Sequence, residues 1–138
     1  MKLQVGVKVL IENKEKKHLF LQRSQILGNE QEAYWDIPGG RIEADETLHD
    51  ALKREIFEET GLRIRDRDVP HLLFAQDIFA AKADLHVVRL TYSVPGDGDV
   101  KVSDEHTAFK WLTLDNALSL NLDPFLREAI ERKKTPAQ

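Results

Sequence analysis

Apolar and polar positions along the chain change period as it proceeds. Leu3 to Ile11 alternates with period two, polar Glu12 to Lys17 interrupts it, and His18 to Arg23 resumes it, which predicts a β-hairpin. Gly28 to Ala33 is a polar loop long enough to border a site. From Thr47 to Thr60 the spacing becomes helical: Leu48, Ala51, Leu52 and Leu62 share one face, with Ile56 at its margin. Asp45 and Thr47 are candidate N-caps, and Thr47-Leu48-His49-Asp50 has the form of a capping box with Asp in the usual Glu/Gln place. Gly61 stands where a left-handed residue would end the helix. A charged connector, Arg63 to Pro70, leads to strands at Leu72 to Ala80 and Leu85 to Val94 around the Ala81 to Asp84 turn. The turn-rich Pro95 to Asp99 follows, then a short strand at Thr107 to Leu112. Asp123 as N-cap and Pro124 at N1 open a last helix, whose apolar face is Phe125, Leu126, Ala129 and Ile130. Strands flanked by helices predict an α/β layered domain without repeats.

Composition narrows the class. A chain of 138 residues is the size of one domain, so a single domain over residues 1–138 is expected. A hydrophobic content of 41% with 32% charged residues describes a globular chain. No apolar run reaches the length of a membrane span, and Met1 to Val7 lacks a signal-peptide core, which makes the cytoplasm the expected location. The absence of cysteine excludes disulfides and thiolate metal sites. A net charge of −4 gives no support to binding of a nucleic-acid polymer.

The distribution of that charge is more informative than its sum. Between Glu43 and Glu59 seven carboxylates face two cations, a local −5, so the remainder of the −4 chain sums to +1. Glu55, Glu58 and Glu59 stand at i, i+3 and i+4 in the last turns of the expected helix, where they repel one another and the negative end of the helix dipole. Glu55 and Glu59 run along the apolar face, with Glu58 towards its edge, where an unpaired charge is costly. A solvated acidic face is the plain alternative. A hard divalent cation with oxygen ligands is the counterion that would justify the placement.

The segment from Gly40 to Leu62 resembles the Nudix box: Gly, five residues, Glu, seven residues, then Arg-Glu-U-x-Glu-Glu-x-Gly-U, where U is aliphatic. Gly40, Glu46, Arg54, Glu55, Ile56, Glu58, Glu59, Gly61 and Leu62 fill every specified position. The lead-in Trp35 to Gly40 and the later Glu105 with Trp111 are similar to the family's usual surroundings. The resemblance implies an α/β/α sandwich with a mixed central sheet. It also implies a MutT-like hydrolase that cleaves a phosphoanhydride in a nucleoside diphosphate linked to another group. Mg²⁺ is the implied cofactor, with Mn²⁺ as a substitute, and the partner is a small nucleotide, with no membrane involved. A homodimer is compatible with it.

Under that resemblance Glu55, Glu58 and Glu59 are the expected metal ligands, and the Gly39 carbonyl completes the sphere. Gly39-Gly40 gives a tight backbone path near the ion; it also reads as an ordinary turn. Arg54 is expected to fix a box glutamate through a salt bridge, with Glu46 joining the network; bracing and direct catalytic contact are equal readings. Glu105, in the polar Ser103 to His106 loop, is a further metal ligand or the general base, competing for that role with Glu55. Arg23 and Gly40 are candidate substrate contacts, and Tyr34 and Trp35 offer a stacking face for a nucleobase, a Trp also being a common core residue. His18, His49, His71 and His106 show no metal-ligand spacing, which argues against zinc.

Substrate tags of the family are absent: position 77 is Asp where ADP-ribose hydrolases carry proline, and Ile78-Phe79-Ala80 replaces the tyrosine of dinucleoside-polyphosphate hydrolases. The favoured expectation is therefore conversion of a nucleoside triphosphate, including an oxidised one, to monophosphate and pyrophosphate. An ADP-ribose or dinucleoside-polyphosphate hydrolase is the alternative enzyme. A non-catalytic nucleotide sensor is the alternative from another class, and the complete box argues against it.

Overall fold

The computed structural model describes residues 1–24 and 34–134, so the loop expected at Gly28 to Ala33 lies outside the described residues. Its strands are β1 (Lys2–Glu12), β2 (His18–Arg23), β3 (Trp35–Asp36), β4 (Gly39–Arg41), β5 (His71–Ala80), β6 (Leu85–Pro95) and β7 (His106–Leu112). The helices are α1 (Leu48–Thr60), α2 (Leu114–Ala117) and α3 (Pro124–Lys134), and a single 3₁₀ turn, Ala81–Ala83, joins β5 to β6.

All seven strands belong to one mixed sheet in the order β3-β2-β1-β6-β5, with β4 against β1 and β7 against β2. β1 and β6 run parallel along their whole length, from Lys2↔Leu85 to Glu12↔Pro95. The other pairings are antiparallel. Alternation along the central strands divides the interior in two. Val7, Val9 and Ile11 of β1, with Leu19 and Leu21 of β2, pack with Ala51, Leu52 and Ile56 of α1. Leu10 and Phe20, one residue out of phase, pack with Ala117 of α2 and Leu126 and Ile130 of α3. A period-two strand buried on both faces requires a helix layer on each side, which makes the domain an α/β/α sandwich.

The helix that carries the carboxylates has well-defined ends. Thr47, at φ −75° and ψ 160°, is the N-cap; its Oγ1 accepts the Asp50 N–H at 3.1 Å. Asp45 instead turns the preceding loop with a φ of 67°. Gly61, at φ 74°, ends the helix and donates its N–H to the Phe57 carbonyl. At α3, Asp123 Oδ2 accepts the Leu126 N–H at 2.9 Å, as expected of a cap before Pro124. β3, β4 and α2 were not expected from the pattern; Gly39-Gly40, read as a tight backbone path or an ordinary turn, opens strand β4, paired in register Lys8↔Gly39 and Val7↔Gly40. Among the described residues no helix is long and apolar enough to cross a membrane.

Candidate functional site

A cleft of about 530 Å³ opens beside β4, lined by Lys8, Arg23, Gly39, Gly40, Glu55 and Glu105, and beyond them by Ile78, Val87 and Arg89. Two glycines allow its walls to meet. Gly39 has a φ of 153°, and a Cβ there would lie 2.1 Å from the Val7 carbonyl oxygen. A Cβ on Gly40 would lie 2.5 Å from Glu55 Oε1, so only glycine lets the Glu55 carboxylate rest against the strand. The Gly39 N–H donates to Glu59 Oε1 at 3.0 Å, tying β4 to the last turn of α1.

Arg54 is the organising cation. Its Nε and Nη2 donate to the two oxygens of Glu46 at 2.7 and 3.0 Å. Nη1 donates to Glu55 Oε1 at 2.8 Å and to Glu58 Oε2 at 3.3 Å. Nη2 also reaches the Arg41 carbonyl at 3.2 Å. A guanidinium has five N–H donors, and each has a protein acceptor here. Arg54 is thus bonded as a brace, and a direct contact with a phosphate would break one of these bonds. The Arg54 guanidinium, helped by the Glu43 N–H, holds the Glu46 carboxyl down at about 2.

The helical carboxylates divide by depth. Glu59 is 6% exposed, and burial pushes its carboxyl up to about 7; the Gly39 N–H and Lys8 oppose that, while Glu55 and Glu105 add to it. Burial likewise raises Glu55, against the pull of Arg54 and with the push of Glu58 and Glu105. Glu58 stays at the rim, its side chain 55% exposed and drawn to Arg54. Glu105 enters from the loop before β7, and its carbonyl accepts the Ser24 N–H at 2.8 Å. Glu55, Glu59 and Glu105 thus come together, with Glu58 beside them.

The remaining expected residues are distributed unevenly. Arg23 lines the cleft, its guanidinium 6.0 Å from the Tyr34 ring centroid. Trp35 does not line it: the residue is 8% exposed, packed with Phe20, Ile37 and Leu122, with Lys110 Nζ 5.1 Å from the ring centroid. Its expected role as a stacking face is corrected to core packing, because pairing of β3 with β2 turns it towards the α3 layer. His106, passed over in the sequence, belongs to the site: one ligand atom each from Glu59, Glu105 and His106 lie within 4.8 Å of one another. Its adjacency to Glu105 was the signal that could have found it.

These donors fit a divalent cation. Clustered carboxylates at the core margin lack enough cations of their own, since Lys8 Nζ is engaged by Asp36 Oδ2 at 2.9 Å and Arg54 by four acceptor groups. Repulsion among them is what a hard cation with oxygen ligands relieves.

A family model described as NUDIX domain matches residues 2–133. Nucleoside triphosphatase NudI of Escherichia coli is 26% identical over 106 residues, which cover 72% of this chain and 75% of NudI. An octanoyltransferase of Myxococcus xanthus is 33% identical over 105 residues, 75% of this chain; the match spans only 29% of that protein's length. Among solved structures, a MutT protein from Methanosarcina mazei superposes with a TM-score of 0.81 at 27% identity, covering 97% of each chain.

Proposed function

The chain belongs to the Nudix family, and from that premise we propose that it is a metal-dependent pyrophosphohydrolase that converts nucleoside triphosphates, oxidised ones included, to monophosphate and pyrophosphate. The observation that carries this reading is that Glu55 and Glu105 line one cleft with Lys8, Arg23 and Arg89, while a ligand atom of the buried Glu59 lies within 4.8 Å of one of Glu105. Acids and bases facing each other across such a space suit a polyphosphate bridged by a cation. The similarity to NudI, a nucleoside triphosphatase, supports the substrate class.

Glu59, Glu105 and, from the rim, Glu58 would hold the ion, with the Gly39 carbonyl beside them. A divalent cation bound there supplies charge neutralisation for the phosphoryl oxygens and acidifies bound water. Glu55 is the base in this reading. Arg54 fixes its Oε1, and burial raises its carboxyl from the ordinary value, which strengthens it as a proton acceptor. In this reading Arg23 takes the phosphates, and Ile78 and Val87, which also line the cleft, offer apolar surface to the base of the nucleotide.

The test is release of pyrophosphate against phosphate from ordinary and 8-oxo nucleoside triphosphates, ADP-ribose, a diadenosine polyphosphate and a nucleotide sugar, with and without Mg²⁺. Metal-dependent pyrophosphate release from a triphosphate is expected. Preference for ADP-ribose or the diadenosine compound would replace the proposed substrate, and tight binding without turnover of any member would replace the enzyme with a sensor.

A further inference from the structure

We propose that His106 is itself a ligand of the divalent ion. The site then has a mixed Glu59–Glu105–His106 donor set that takes Mn²⁺ or another first-row transition cation ahead of Mg²⁺. The inference rests on the metal-dependent reading above but goes beyond its all-oxygen ligands. Two observations carry it. The three ligand atoms lie within 4.8 Å of one another. Three donors at about 2.1 Å from one ion lie roughly 3–3.6 Å apart, so the cluster must draw in by up to about 1–2 Å as the ion binds. His106 is also only 5% exposed, and its Nδ1 is buried with no hydrogen-bond partner among the described residues. A buried ring nitrogen without a partner is costly unless something binds it.

The fold explains why the ring is there. His106 opens β7 opposite Arg23, where the register of β2 against β7 breaks between Gln22 and Arg23. Such irregularities beside a site re-aim side chains. The His106 N–H is held by the Ser103 carbonyl at 3.1 Å, and the Glu105 carbonyl by the Ser24 N–H at 2.8 Å, so both ligands leave a pinned backbone. Mg²⁺ favours oxygen and retains its waters, whereas imidazole nitrogen suits transition ions. A nitrogen among the donors therefore shifts selectivity towards the latter.

The experiment is pulsed electron paramagnetic resonance on the Mn²⁺-loaded full chain, reading ¹⁴N modulation from a directly bound imidazole. It is paired with calorimetric titration of Mn²⁺ and Mg²⁺ into wild type and His106→Gln. We expect nitrogen coupling in wild type, its loss in His106→Gln, and a fall in the Mn²⁺/Mg²⁺ affinity ratio of roughly tenfold or more. Absence of nitrogen coupling in wild type overturns the proposal whether or not the variant folds, and so does coupling that survives in His106→Gln. Mg²⁺-dependent triphosphate turnover without nitrogen coupling would sink this inference and leave the function standing. Coupling without turnover would do the reverse.

Discussion

Glycine and glutamate positions set the chemistry at the residue scale, and each fails in its own way. On Gly40 a Cβ would meet the end of a flexible side chain, Glu55 Oε1 and Cδ at 2.5 and 2.6 Å. Gly40→Ala should therefore keep the fold but displace the proposed base, lowering kcat by roughly tenfold or more, as small misplacements do. On Gly39 the Cβ would meet the Val7 carbonyl and Lys8 Cα at a φ of 153°, so Gly39→Ala should cost about 1–3 kcal/mol of stability. Urea unfolding alongside turnover separates the two cases, and a stable Gly39→Ala would contradict the geometry. Glu59 is a pH-dependent residue of known sign. Its carboxyl moves from 4.5 to about 7 in the metal-free fold, so between those values the folded state binds more protons than the unfolded one. That contribution is complete below 4.5 and lost as pH rises through 7, about 3 kcal/mol in all. His18 and His106, both depressed by burial, pull the other way. The Glu59 share is therefore read as the difference between wild type and Glu59→Gln in EDTA, near pH 5 and near pH 8. The glutamine variant should gain on wild type as pH rises, and a pH-independent difference would show that the carboxyl is not perturbed.

At the scale of the element, α1 separates folding from positioning. Its cap bond, Asp50 N–H to Thr47 Oγ1, is exposed and lies at the end of the helix away from the carboxylates. Thr47→Ala should cost about 1 kcal/mol and leave kcat unchanged. Arg54→Lys should do the opposite. A lysine cannot reproduce the fork that joins Glu46, Glu55 and Glu58, so kcat should fall by one to two orders of magnitude with KM little changed, because the residue touches protein rather than substrate. An equal rise in KM would return Arg54 to the substrate. The helix was legible in the chain because its period, its N-cap and Gly61 agree, and its phase already placed Glu55 and Glu59 deeper than Glu58. β3 and β4 were not legible: two and three residues carry no period, and β4 exists because β1 supplies a partner across Lys8↔Gly39. Trp35 illustrates the same limit, since its aromatic character gives no sign of which layer a two-residue strand will turn it into. His106 was missed because its ligand partners are Glu59 and Glu105, not another histidine, so spacing among the histidines held no signal.

Across the whole molecule, the site is a meeting of three segments distant in sequence: β4, the last turns of α1, and the loop that opens β7. Among the described residues they are joined by few bonds, Gly39 N–H to Glu59 and Arg54 to the Arg41 carbonyl among them. The charge of Glu105 meanwhile opposes the ionisation of Glu55 and of Glu59, and Glu55 adds to the effect on Glu59. Repulsion concentrated where segments meet makes the metal-free site a weak point of an otherwise well-packed sandwich, and a cation that binds only the folded arrangement stabilises it by mass action. At a hundredfold excess over Kd the gain is about 2.7 kcal/mol. Titrating Mn²⁺ or Mg²⁺ while following thermal unfolding should therefore raise Tm by several degrees in wild type and in Thr47→Ala. In Glu59→Gln, which keeps the sandwich but removes the central charge, the rise should fall to a small fraction. Amide exchange should slow chiefly in residues 39–41 and 103–106. Equal shifts in wild type and Glu59→Gln would place the ion elsewhere and separate the acidic cluster from metal binding altogether.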